Sequence, residues 1–290
     1  MCTPPGNPLA GPEAGRHSDG VEANDRGLRA DGTIAREGSL DRVGEAFVPV
    51  VAAARERIGA VFGPDRLHSA YLYGSVPRGT AVPGVSDLDL QLALHHPPGP
   101  AERADATALE AALDAAFPQL DGVGILLSGR DELLSPSQRY DAGFFLACLC
   151  TPLLGPDLAE RLPRYRPTSL LARETNGDLA RLLPGWRRAA AEAATGAERR
   201  ALARRVGRRL VRTGFALVMP RWGGWTSDLE RSAEIFGHCY PQRAGQMRLA
   251  AATARRPAAD PAALGPLIED LAPWLADEYA AVHGVPLRSR

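Results

Sequence analysis

Two aspartates and a Gly-Ser pair are the residues of this chain whose types and spacing could do chemistry. Asp87 and Asp89 stand two positions apart in Ser-Asp-Leu-Asp-Leu, and Gly74-Ser75 precedes them by little more than a dozen residues. Side chains two apart on a β-strand point to the same face. Adjacent carboxylates repel each other unless a cation lies between them, and hard oxygen ligands suit Mg²⁺, which also bridges substrate phosphates. The spacing therefore predicts a metal site at Asp87 and Asp89.

Gly74 and Ser75 predict a turn that binds phosphate. Residues 69–73 form a short apolar and aromatic run, typical of a buried strand that ends at Gly74. A ligand can approach the Gly74 backbone closely, and Ser75 could cap a following helix and offer its hydroxyl and nearby N–H groups to an anion. The chain contains no lysine, so a cationic phosphate contact has to be an arginine. Arg78 is the nearest candidate, with an exposed loop residue as the alternative interpretation.

The elements that must position these groups are a turn and a second strand. Residues 77–85 contain two glycines and two prolines, which indicates a short connection. From Asp87 onward, leucine alternates with other residues with a period of two, which predicts a strand. Its leucines would form the core face, opposite the two aspartates: Leu88, Leu90, Leu92 and Leu94.

Gly74-Ser75, the loop after it and the Asp87-x-Asp89 pair together resemble the signature of the polymerase-beta-type nucleotidyltransferases, particularly small bacterial ones that include aminoglycoside nucleotidyltransferases. The resemblance covers about residues 40–130. It implies a nucleoside triphosphate, ATP, bound with two Mg²⁺ ions, and attack by a substrate hydroxyl on the α-phosphorus with loss of pyrophosphate. It further implies that Gly74 and Ser75 hold the β- and γ-phosphates and that Asp87 and Asp89 are catalytic metal ligands. The alternative is a capped helix followed by an edge strand with two solvated aspartates.

The resemblance also implies a third carboxylate on a following strand, where it would help to bind metal and accept the hydroxyl proton. The candidate strand is 122–128, and the matching position is Gly124. The substitutes are Asp121, which we retain as a catalytic candidate, and Asp131 or Glu132 after the strand. Asp121 lies three residues before Gly124, so we expect it to be displaced by roughly 10 Å and to face the other way. Without the third acid, nucleotide and metal could still bind while proton removal is impaired.

Length and patterning predict an α+β fold in two domains. The 290 residues, 45% of them hydrophobic, can bury a sizeable core. We predict a disordered leader at 1–38, a nucleotidyltransferase domain with a small mixed sheet flanked by helices at 39–135, and a mainly α-helical domain at 136–290. No apolar run is long enough to span a bilayer, and residues 1–38 contain no apolar signal-peptide core, so the predicted location is cytoplasmic, without a membrane partner.

The predicted helical domain carries a concentration of positive charge in a chain whose totals balance at 34 and 34. Between positions 187 and 212, nine arginines stand against two glutamates, a local net charge of +7. Four of them share one helix face: Arg200, Arg204, Arg208 and Arg212. They are either a solvated face that pairs with acids elsewhere or a contact for the triphosphate or an anionic acceptor, including RNA. Trp222 and Trp225 could line an acceptor pocket or simply pack.

Three classes of function follow from these residues. The first is a Mg²⁺-dependent nucleotidyltransferase that moves AMP to a hydroxyl of a small molecule such as an aminoglycoside, of a protein or of RNA. The second is a nucleotide-binding module of the same family whose catalysis is impaired or lost because position 124 is glycine. The third is an interaction protein whose sheet is only a scaffold. The enzyme needs Asp87, Asp89 and a third oxygen ligand, the module needs only the first two, and the interaction protein needs neither.

Overall fold

The computed structural model of the chain describes residues 26–260, 262 and 264–286. A four-stranded mixed sheet has the order β3-β2-β1-β4, in which β1 is antiparallel to β2 and β4, and β2 is parallel to β3. The strands are β1 (Leu67–Tyr73), β2 (Leu88–Leu94), β3 (Val123–Gly129) and β4 (Thr151–Leu154). Because parallel neighbours need a crossover, a helix connects β2 to β3.

Helices account for most of the remaining described structure, which confirms the predicted α+β class. Those that accompany the sheet are α1 (Val48–Arg66), α2 (Ser75–Arg78), the crossover helix α3 (Pro100–Ala116), α4 (Arg130–Leu133) and α5 (Ala142–Phe144), which runs into a π-helical turn (Phe145–Leu149). The others are α6 (Ser169–Asn176), α7 (Leu179–Glu192), α8 (Gly196–Trp222), α9 (Leu229–Cys239), α10 (Ala244–Arg255), a π-helical turn (Pro266–Leu271) and α11 (Ala272–His283). Within the described residues, no helix has the length and apolar character to cross a membrane.

One face of the sheet is a hydrophobic core. Helices α1 and α3 pack on it through Ile58, Leu109 and their neighbours. The alternating leucines of β2 lie in this core with at most 2% of each side chain exposed, as the sequence predicted. Since side chains alternate along a strand, Asp89 must lie on the opposite face of β2, away from α1 and α3.

Helix α8 is the centre of the helical part. Thr195 and Glu198 form a capping box at its start: the Glu198 N–H donates to Thr195 Oγ1 (3.1 Å), and the Thr195 N–H donates to Glu198 Oε2 (2.9 Å). A buried stripe packs against the neighbouring helices, as the sequence predicted: Leu202, Val206, Leu210 and Leu217. Because this stripe fixes the rotation of α8, the arginines spaced between its members point outward.

Two features of the described residues bear on the predicted domain division, which stays a prediction. Residues 26–38, assigned to a disordered leader, include Ile34, which is fully buried and forms an isolated bridge with Leu28. The first 25 residues of that leader lie outside the described residues. Strand β4 lies beyond position 135 yet completes the sheet, so the sheet extends into the predicted helical domain. Strand β4 is difficult to recognise from local sequence, because it has only four residues and contains Pro152.

Candidate active site

A glycine turn connects β1 to the short helix α2. Gly74 has φ +81° and ψ −150°, a conformation that is essentially restricted to glycine. A Cβ at this position would also overlap the carboxylate of Asp89, at Oδ2. The turn predicted at Gly74 and Ser75 therefore lies directly against the second predicted aspartate, and only glycine allows this approach.

The two predicted metal ligands lie next to each other at the start of β2. Asp89 pairs with Tyr73 on one side and with Gly124 on the other, and Asp87 lies just before the strand. Burial, followed by the repulsion of Asp87, raises the pKa of Asp89 to about 6. Burial, followed by the repulsion of Asp121, also raises the pKa of Asp87. A partly buried pair with raised pKa values is the arrangement that a bound cation would relieve.

The position expected to carry a third carboxylate is an open gap beside Asp89. Gly124 is the register partner of Asp89 on β3, and a Cβ built on it would lie 3.8 Å from Asp89 Oδ1. The equivalent distance from Gly122 to Asp87 Oδ1 is 3.6 Å. Among the described residues there is no group of three His, Cys, Asp or Glu side chains that could hold a metal. Position 124 thus faces the pair, as the family resemblance implied, but supplies no ligand.

The predicted substitutes for the third acid lie away from this gap. The Asp121 N–H donates to the carbonyl of Ser86 (3.1 Å), before either strand begins, which places Asp121 beside Asp87 rather than beside Asp89. Asp131 and Glu132 follow the other end of β3, roughly 20 Å along the strand from Gly124. Asp131 is exposed and pairs with Arg130 (2.9 Å). Of these acids, only Asp121 is close enough to influence the pair electrostatically.

Arginines of α8 face the carboxylates from the helical part of the molecule. The charges of Arg204 and Arg208 act on Asp87, opposing the rise in its pKa, and those of Arg208 and Arg212 do the same at Asp89. The sequence predicted that these arginines share a face and left open whether that face is solvated or contacts an anion such as the triphosphate. Opposite charges across the site favour a ligand that combines phosphates with a metal.

The predicted phosphate contact Arg78 is held by a residue that sequence reasoning missed. Arg78 hydrogen-bonds to Ser227, and its guanidinium lies 3.8 Å from Glu37 Oε2. Glu37 also accepts hydrogen bonds from Ser227 Oγ (2.6 Å) and from Trp225 Nε1 (2.9 Å). Glu37 thereby connects the turn beside α2 to the segment after α8. Because its partners are up to 190 residues away, no local pattern could have identified it.

The contacts of the two tryptophans support the packing interpretation. The Trp225 ring is 9% exposed and lies edge-on to Phe144 and Phe215, with centroid distances of 4.8 and 5.7 Å. Trp222 also lies edge-on to Phe215, at 5.8 Å. The Trp225 indole is therefore used for packing against these rings and for the hydrogen bond to Glu37.

We expect Asp89→Asn to stabilise the metal-free protein at pH 8. The folded-state pKa of Asp89 is about 6, above the ordinary value of 3.8, so ionisation costs stability as pH rises from about 4 to 6, and the full penalty persists above pH 6. The asparagine removes a penalty on the order of 2 kcal/mol. Thermal unfolding in a chelator should give a higher Tm for the variant at pH 8 and a much smaller difference at pH 4.5. Equal Tm values of the two proteins at pH 8 would show that ionisation of Asp89 does not lower the stability of the folded protein.

The fold and site define an α+β protein with a carboxylate pair beside a glycine turn, facing a basic helix. No protein-family model and no curated protein sequence matches this chain. Among solved structures, the chain is similar to the spectinomycin adenyltransferase AAD(9) from Enterococcus faecialis, solved with ATP and spectinomycin. The match has 12% sequence identity and a TM-score of 0.46, and covers 79% of this chain and 98% of that one. At this level of similarity, function has to be inferred from the site itself.

Proposed function

We propose that this protein is a magnesium-dependent nucleotidyltransferase that moves a nucleoside monophosphate, AMP, from its triphosphate to a hydroxyl acceptor. One observation carries the proposal: Asp87 and Asp89 lie side by side, with Asp89 against the Gly74 turn, and both are acted on by the arginines of α8. A site for a metal-bound triphosphate needs three parts: a carboxylate pair for the metal, a turn without a side chain for the phosphates, and positively charged residues opposite them.

The residues present fit one divalent cation better than two. Asp87 and Asp89 are partly buried carboxylates whose charges oppose each other, and a cation held between them would remove that cost. Bound there, magnesium would neutralise phosphate charge and polarise the phosphoryl oxygens. The resemblance implied a second ion, but Gly124 leaves it without a carboxylate ligand on β3. We therefore expect any second ion to depend on the triphosphate for its ligands.

Different residues of the chain would contact different parts of the bound triphosphate. The Gly74 turn gives phosphate oxygens access to the backbone, with the Ser75 hydroxyl beside it. Arg208 and Arg212 supply positive charge from the opposite wall. The Arg78 guanidinium already contacts Ser227 and Glu37. We therefore assign Arg78 to holding the segment after α8 in position, and not to direct binding of phosphate.

The transfer step itself leaves one proton without an obvious acceptor. The acceptor oxygen forms a bond to the α-phosphorus, the bond from that phosphorus to the pyrophosphate oxygen breaks, and the hydroxyl proton must leave. Position 124, where a carboxylate would take this proton, is glycine, and Asp121 lies beside Asp87 instead. This gap favours a second candidate function, a nucleotide-binding module with impaired turnover. In an active enzyme, the proton would have to pass to a group of the acceptor or to water.

Calorimetric titration of the nucleoside triphosphates with and without Mg²⁺ tests the proposal. We expect the wild type to bind ATP only with Mg²⁺, and Asp87→Asn to bind it at least roughly 10–100-fold more weakly, the cost of losing even an outer-shell partner of a metal. Asp114→Asn is the matched control, since Asp114 is an exposed carboxylate on α3 that acts on Asp87 only at a distance. It should bind ATP like the wild type.

The same samples separate the enzyme from the other two classes of function. Pyrophosphate release with a hydroxyl acceptor would establish transfer, and Mg²⁺-dependent binding without release would favour the module. Absence of ATP binding in a folded wild type would contradict both and leave the interaction protein.

A further inference from the structure

The outward face of α8 carries an arginine row, defined as Arg200, Arg204, Arg208 and Arg212. Each member follows the last by four residues, so neighbours lie about 6 Å apart along the helix axis and the whole row spans about 18 Å. The buried stripe on the other side of α8 fixes the direction in which the row points. The row is therefore a rigid line of positive charge that begins beside Asp89 and runs away from it.

The arginine row lines a cleft of about 540 Å³, a volume suited to a small-molecule ligand. The lining residues are Arg200, Ala201, Arg204, Arg205, Arg208, Arg209, Arg212 and Pro257. None of them is acidic. Arg209 pairs with Asp178, and no ion pair joins the other five lining arginines to any described residue. Within the part of the chain that the structure describes, these five arginines do not pair with acids, and the described lining of the cleft is strongly positive.

Only one end of this cleft adjoins the proposed nucleotide site. Arg204 and Arg208 act on Asp87, and Arg208 and Arg212 act on Asp89, so these three arginines adjoin the proposed nucleotide site. Desolvation followed by the repulsion of Arg208 and Arg209 lowers the pKa of Arg212. Arg200 lies about 18 Å along the axis from Arg212, and Arg205 is about 10 Å away. A triphosphate held at the Gly74 turn would not extend over the whole row. The far end of the cleft, at Arg200 and Arg205, is therefore free to bind a second anion.

We propose that the far end of the cleft, at Arg200 and Arg205, binds a hydroxyl acceptor that carries phosphate groups. This inference rests on the proposed function and names its substrate class. Guanidinium groups bind phosphate oxygens in bidentate fashion, and their regular spacing suits more than one phosphate. A polycationic acceptor such as an aminoglycoside would be repelled by the same surface. The lining offers no aromatic ring for base stacking, so recognition is through the phosphates.

Binding of two phosphate probes, without any nucleotide, tests the cleft on its own. The probes are ribose 5-phosphate, for a small acceptor, and a short single-stranded RNA with a free 3′-hydroxyl. We expect at least one to bind the wild type and to bind Arg200→Gln/Arg205→Gln roughly 100-fold more weakly, from the loss of two charge-assisted contacts. The control Arg181→Gln/Arg188→Gln removes the same charge from exposed positions of α7, outside the cleft, and should bind like the wild type.

Parallel titrations with Mg²⁺ and ATP distinguish failure of this inference from failure of the proposed function. We expect Arg200→Gln/Arg205→Gln to keep its ATP affinity, and Asp87→Asn to lose ATP while still binding the phosphate probe. If the double arginine variant loses ATP and the probe by the same factor, the whole row belongs to the triphosphate and the inference is wrong. It is also wrong if neither probe binds, or if the control variant weakens the probe equally.

Labelling with [α-³²P]ATP identifies which source of phosphate is the acceptor. Ribose 5-phosphate, RNA, glycerol and spectinomycin are offered in separate reactions. We expect label only on a phosphorylated compound. Whether ribose 5-phosphate or RNA becomes labelled shows whether the acceptor is a small molecule or RNA. Label on spectinomycin or glycerol, with none on the phosphorylated compounds, would overturn the inference while supporting the proposed transfer reaction.

Discussion

Gly124→Asp is expected to accelerate nucleotidyl transfer by roughly 10²–10⁴-fold, the usual contribution of a positioned general base. Gly124 is the register partner of Asp89, and its Cβ direction leads to within 3.8 Å of Asp89 Oδ1. An aspartate there would share a cation with the existing pair and could accept the proton of the acceptor hydroxyl. The backbone at position 124 does not have a positive φ, so a side chain is tolerated without strain. Single-turnover transfer from labelled ATP measures the effect.

The matched control for this gain is Gly124→Asn, which adds nearly the same volume without a negative charge. It should bind ATP with Mg²⁺ and show no acceleration. Without metal, Gly124→Asp should unfold at a lower temperature than Gly124→Asn at pH 8, because a third carboxylate adds to the repulsion that already raises the pKa of Asp89. Equal transfer rates for the two variants, with ATP bound in both, would mean that the proton leaves by another route, through the acceptor or water.

The sequence was sufficient to predict those parts of the site that depend on local spacing. The period-two leucines fixed the buried face of β2, and hence the face on which Asp89 lies. The Gly-Ser pair predicted the turn, and the family resemblance implied Gly124 as the position that faces the pair, which agrees with its register with Asp89. For the β2 face and the turn, a short-range rule, alternation or glycine conformation, determines the structure.

Features that depend on long-range contacts could not be predicted from the sequence. Glu37 joins Arg78 to Trp225 across most of the chain length, and nothing in its neighbours distinguishes it from an exposed loop residue. The arginine row was visible as a helix face, but whether it pairs with acids or lines a cleft depends on how the neighbouring helices pack around α8. Strand β4 belongs to the sheet because β1 has an unpaired edge, and its own four residues do not indicate this.

Gly74→Ala is expected to abolish Mg²⁺-dependent ATP binding in a protein that still folds. The Gly74 backbone, at φ +81° and ψ −150°, costs a residue with a side chain on the order of 1–3 kcal/mol. In addition, the new methyl group would overlap Asp89 Oδ2, so either the carboxylate or the turn has to move. Both are proposed to contact the metal-bound triphosphate, so one methyl group disturbs both halves of the site. Calorimetry with ATP and Mg²⁺, alongside thermal unfolding, measures the two effects.

Gly84→Ala separates backbone strain from the clash with Asp89. Gly84 lies in the same connection with nearly the same positive φ, +75°, but a Cβ there has no atom within 4 Å. An alanine at position 84 should therefore lower stability by about 1 kcal/mol and leave ATP binding intact. If Gly74→Ala binds ATP as tightly as Gly84→Ala does, the close approach of the turn to Asp89 has no part in binding. The nucleotide would then have to be held elsewhere, and the arginine cleft would be the remaining site with enough charge to hold it.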